Sequence, residues 1–147
     1  MKNIERTFQI ISYLQYPFML LALFYCGKSI YDIFVLGIKD TFLPNFNTAL
    51  MLMGIGVSFS ALQDSTKTQN NFSKKIWQNK KKGAIGLLLM TCMVLFFFVA
   101  GGIGYFTATS SILEEISIGL IVLGIGYMGV LSVAINMYKY QQSLLEE

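Results

Sequence analysis

Residues 63–82, QDSTKTQNNFSKKIWQNKKK, decide the fold: six lysines face one aspartate, and long apolar segments lie on both sides. Lysine and arginine gather in the short cytosolic loops of membrane proteins, so this stretch reads as a cytosolic loop joining two membrane hairpins. Within it Phe72, Ile76 and Trp77 share one face of a short helix, with Lys74 and Lys75 turned away. Such a segment is expected to lie in the lipid headgroups, Trp77 at the interface.

The apolar flanks fit that reading. The chain has 147 residues, 54% of them hydrophobic and only 13% charged, so polar surface is too scarce to cover a water-facing domain. Uncharged blocks run over 7–27, 41–63, 83–113 and 116–138. Each meets the roughly 20 residues needed to cross about 30 Å of hydrocarbon. With Pro44, Asn45 and Asn47 set aside as a turn, the spans fall at about 7–27, 46–62, 83–106 and 116–138. Gly101-Gly102-Ile103-Gly104 is expected to leave the third span as a loop, and residues 30–38 to lie along the outer surface. Backbone amides in hydrocarbon must bond within their own segment, so the spans are helices. The expected fold is all-α: one domain, an integral membrane four-helix bundle.

Orientation follows from the cations. With both termini and the 63–82 loop inside, Lys2, Arg6, Lys67, Lys74, Lys75, Lys80, Lys81, Lys82 and Lys139 are cytosolic, leaving only Lys28 and Lys39 outside. Small size and the lack of targeting features point to a bacterial cytoplasmic membrane. The N-terminal run lacks a small-residue cleavage site, so it reads as a retained first span.

Local signals complete the sketch. Pro17 removes an amide donor and frees the carbonyl of Tyr13. Lys28 and Asp32 stand one helical turn apart with opposite charges. Ser111-Ile112-Leu113-Glu114 fits a capping box at the start of span four, which makes Glu114 and Glu115 poor candidates for acid catalysis. Shifting the chain by 70 residues lays Gly54-Ile55-Gly56 on Gly124-Ile125-Gly126. A true duplication would relate two hairpins about an axis along the membrane normal, but segments built from few residue types also match by accident.

Catalysis finds no support. There is no histidine, no Asp, Glu or Lys lies in a span core as drawn, and Cys26 and Cys92 lack metal-ligand spacing. No enzyme activity, cofactor or metal is expected, and nucleic acid is not an expected partner because the lysines border spans. Three groups of residues remain. Ser12, Gln15, Ser58, Ser60, Thr91, Ser132 and Asn136 all fall in the cytosolic half, as interhelical packing or as a crevice for a ligand. Lys74, Lys75, Trp77, Lys80, Lys81 and Lys82 are candidates for contact with anionic lipid or a partner. Gly54, Gly56, Gly119, Gly124, Gly126 and Gly129 are candidate helix-packing positions, for self-association or another membrane protein. The expected function is an accessory or scaffolding subunit in the bilayer, the alternative a small oligomeric transporter or channel using the cytosolic-side polar cluster.

Overall fold

The computed structural model describes residues 2–35, 37, 41–63 and 70–146. Lys39, Asp64 and Lys67 lie outside the described residues, as do the side chains of Lys2 and Phe72. Among them there are six helices and no strand: α1 (Lys2–Ser12), α2 (Gln15–Phe34), α3 (Phe42–Ser60), α4 (Asn71–Gln78), α5 (Lys80–Thr107) and α6 (Ser111–Glu146). Four stretches are long and apolar enough to cross a membrane: Arg6–Phe34, Phe42–Ser60, Lys80–Thr107 and Ser111–Leu145. This is the pattern of a multi-pass membrane protein.

Both prolines occupy the third residue of a helix. Pro17 lies in the first turn of α2, where its missing donor costs nothing, while its ring blocks continuation from α1. The chain therefore tightens at Tyr13-Leu14, with Leu14 N donating to Ile11 O at 3.0 Å. The freed Tyr13 carbonyl accepts from Tyr16 N at 3.2 Å. Pro44 sits likewise in the first turn of α3, so the turn expected at 44–47 is helical, begun by Asn45 N to Thr41 O at 3.1 Å.

Three other boundaries differ from the sequence reading. α2 continues to Phe34, so residues 30–34 extend the first span instead of lying flat. The glycines at 101, 102 and 104 stay inside α5, because Gly101 and Gly104 fit tightly against Ile121 and Ser117 of α6. α6 runs through the acidic tail to Glu146 and begins one residue off the expected box. Ser110 is the capping residue, its Oγ accepting from Leu113 N at 3.4 Å. At the other end Asn79 closes α4 and opens α5, its side chain accepting from Lys82 N at 3.1 Å.

The spans pack as an open row in the order α2, α3, α6, α5, and the two flanking helices share no extensive contact. A closed bundle would need α2 against α5. The row instead follows from glycines on two faces of each inner helix. On α3, Gly54 meets the backbone of Leu123 and Val122 in α6, whereas Gly56 meets Met19 and Phe18 of α2. On α6, Gly126 lies against Gly54 O and Ser58 Oγ, Gly119 against Asn47 and Leu50, and Gly129 against Ala61. Gly124 faces away, under Phe97 and Phe98 of α5. Without a Cβ at these points the backbones approach closely, and dispersion across the seam is gained where hydrophobic exclusion of water is absent.

This layout is that of two like hairpins back to back, but the 70-residue register does not carry faces onto each other. Gly54 lies in the α3–α6 seam while its aligned Gly124 faces α5. Gly56 faces α2 while Gly126 lies in the seam.

Candidate functional site

At the α4 end a short helix is docked on two long ones. Trp77 is only 6% exposed, its ring beside Gly86 and its Nε1 donating to Ser73 Oγ at 2.7 Å. The last carbonyls of a helix have no partner within it. α6 supplies one: Gln142 Nε2 donates to Trp77 O at 2.7 Å, and Gln78 Nε2 donates to Gln141 Oε1 at 3.2 Å. Gln142 Oε1 is buried and unpaired. Trp77 is thus buried within the protein itself, where α5 and α6 pack against α4. Lys74, Lys75, Lys80, Lys81 and Lys82 are exposed and form a basic ledge around the docked helix.

The seven polar residues expected to gather in the same half of the membrane are spread along the row. Ser12 is fully buried and donates to Gln9 O at 2.8 Å. Ser58 donates to Gly54 O, Ser60 to Val57 O and Thr91 to Leu87 O, at 2.8, 2.7 and 2.8 Å. Each hydroxyl therefore bonds a carbonyl of its own helix, not a neighbour. Gln15 is half-buried, while Thr91, Ser132 and Asn136 are exposed. Thr91 on α5 and Gln15 on α2 stand at opposite ends of the row. The seven are divided among α1, α2, α3, α5 and α6.

The polar group that sequence reasoning missed is at the opposite end, where α2 meets α3. Asp32 is 6% exposed and Ser29, one turn before it, 1%. Thr41 Oγ1 and Asn45 Nδ2 both donate to Asp32 Oδ2, at 2.8 and 3.0 Å, and Ser29 Oγ donates to Phe42 O at 2.9 Å. The pairs 29/32 and 41/45 are each one helical turn apart and flank the reversal at Gly37, whose φ is 65°. That spacing was the available signal. It was masked by pairing Asp32 with Lys28, which is exposed and forms no ion pair with it. On the other face of α3, Asn47 is 7% exposed with Oδ1 unpaired against Gly119.

Among the described residues no group of three His, Cys, Asp or Glu side chains converges on one point. Cys26 and Cys92 are free thiols on the two flanking helices. No protein-family model matches this sequence, and no curated protein or solved structure matches it either.

Proposed function

We propose that this chain is an accessory or scaffolding membrane subunit that works by helix packing, without catalysis. Both termini and the α4 ledge face the cytosol in this reading, in a bacterial cytoplasmic membrane. One observation carries it: the hydroxyls of Ser12, Ser58, Ser60 and Thr91 spend their bonds inside their own helices, while glycine seams hold the row. The flanking helices carry large exposed apolar side chains, among them Leu20, Leu23 and Phe24 on α2 and Leu88, Leu89 and Phe96 on α5. Such faces suit lipid tails, a second copy or a larger membrane partner. The ledge lysines would attract anionic headgroups at about 1 kcal/mol each near the surface, less at high salt.

Purification in mild detergent tests this. A stoichiometric membrane partner together with no solute flux in liposomes is expected; a bare homo-oligomer that conducts would overturn it. Orientation is read by labelling single cysteines at Gln78 and Thr109 in a background lacking Cys26 and Cys92. Impermeant reagent applied outside is expected to reach position 109 and spare 78.

The second reading, a small oligomeric transporter or channel, gains from Asp32. Ionisable groups inside spans mark ion pathways, and the extended α2 brings a buried carboxylate into the first span.

A further inference from the structure

We propose that the corner where α4 meets α5 binds anionic phospholipid, its lysines taking the phosphate and the outer face of α5 the acyl chains. Residues 74–82 hold five lysines and no acid, and all five side chains are exposed. The excess survives any placement of the neighbouring acids. Glu5, Asp64, Glu146 and Glu147 are the only carboxylates whose chain positions lead to this end, four against nine lysines and arginine. The opposite end has the reverse balance, with Asp32, Asp40, Glu114 and Glu115 against Lys28 and Lys39. The partner that suits the corner is therefore negative. The corner is also held in shape: Asn79 alone separates the two helices, and Trp77 and Gln142 fasten α4, so Lys74 and Lys75 stay beside the start of α5.

What lies below the lysines makes that partner a lipid. Lys81 and Lys82 head a stripe of α5 that runs on through Ile85, Leu88, Leu89 and Cys92, in steps of three or four residues and so along one face. Ile85, Leu88 and Leu89 are 57%, 63% and 61% exposed, whereas the face carrying Gly83 and Gly101 is taken by Tyr138 and Ile121 of α6. At about 1.5 Å per residue the apolar side chains start roughly 5 Å beyond Lys82 and extend to roughly 10 Å. Charge followed by hydrocarbon is the layout of a phospholipid. A dissolved anion, or an acidic protein, would use the lysines and leave the stripe bare. Because the lysines open the span Lys80–Thr107, they meet the headgroup layer whichever way the chain faces.

The proposal deepens the reading of the ledge given above and rests on the chain spanning a bilayer, not on its being a subunit. Its readout is lipid occupancy, so its failure is separate from failure to find a partner or a flux. The test uses the full chain in bilayers, with a bimane dye on Ala84→Cys in a background lacking Cys26 and Cys92. Ala84 is exposed one turn below Lys80 and Lys81, so a dye there faces the lipid. Phosphatidylglycerol and phosphatidylcholine, each carrying a nitroxide high on the acyl chain, compete to quench it. The anionic lipid is expected to be favoured about fivefold or more at low salt, the contribution of one lysine near the surface, and less at high salt. Lys81→Gln with Lys82→Gln is expected to bring the ratio towards one, and Lys28→Gln, at the other end, to leave it unchanged. Inorganic phosphate exchanged for chloride at constant ionic strength is expected to change nothing. Equal quenching by the two lipids in the unsubstituted corner overturns the proposal whether or not the lysine variant folds. So does a preference that survives in Lys81→Gln with Lys82→Gln, or one that inorganic phosphate abolishes, which would mark a site for a soluble anion.

Discussion

Alanine at Gly54 probes the seam on which the row depends. The new methyl would lie 2.9 Å from Leu123 Cα, Leu123 N and the Val122 carbonyl carbon. Carbon atoms rest at about 3.5–4.0 Å, so α6 would have to retreat by roughly 0.6–1.1 Å. All three obstacles are backbone atoms of one helix and cannot move singly. Overpacking costs about 1–3 kcal/mol, and a rigid neighbour places this case near 3. Alanine's better helix propensity offsets about 1 kcal/mol. The net loss of ~2 kcal/mol is roughly a 30-fold shift in the unfolding equilibrium. Gly27→Ala is the matched control, with nothing within 4 Å of its Cβ. Dyes on cysteines placed at Gln63 and Lys139, in a background lacking Cys26 and Cys92, report parting of α3 from α6 by energy transfer during SDS titration in mixed micelles. The Gly54→Ala midpoint is expected clearly below that of Gly27→Ala. Equal or inverted midpoints would show that the close approach at Gly54 does not hold the hairpins together.

Adjacent glycines on α5 give a second contrast. Gly101→Ala meets Ile121 Cγ1 at 2.7 Å and Ser117 O at 2.9 Å, whereas Gly102→Ala meets nothing within 4 Å, so only the first is expected to lower the same midpoint. Trp77→Ala empties the contact under α4; buried Trp to Ala losses run at about 3–5 kcal/mol, more than an eight-residue helix can absorb and stay docked. Faster tryptic cleavage at Lys74 and Lys75 is the readout. Thr91→Val is expected to change stability by less than about 0.5 kcal/mol in the titration, because its hydroxyl bonds only Leu87 O on an exposed face.

The four spans were legible because a stretch of uncharged residues long enough to cross hydrocarbon leaves few other folds open. Their ends were not, for reasons visible at single residues. Pro44 and the 101–104 glycines read as breaks, yet proline is harmless in a first turn and Gly101 and Gly104 serve the α5–α6 contact. The spread of the polar residues over several helices was hidden because sequence position gives depth but not azimuth. Gln15 and Thr91 can share a level and still stand at opposite ends of the row. The burial of Trp77 was hidden for a related reason: its helix packs on α5 and α6, a surface that exists only once both are folded. Asp32 was visible only as a neighbour of Lys28, since its actual partners lie across the turn in α3.

The row order also bears on how the molecule is made. α2 can close on α3 as soon as both are inserted, but the remaining face of α3, with Gly54 and Asn47, waits for a helix that leaves the ribosome last. Membrane helices insert first and associate afterwards, so the halves form as separate units and dock late. In that sense the polypeptide is a heterodimer whose two subunits happen to share one backbone between Gln63 and Asn70. Its two pieces, translated apart, would have the α3–α6 seam by which to find each other.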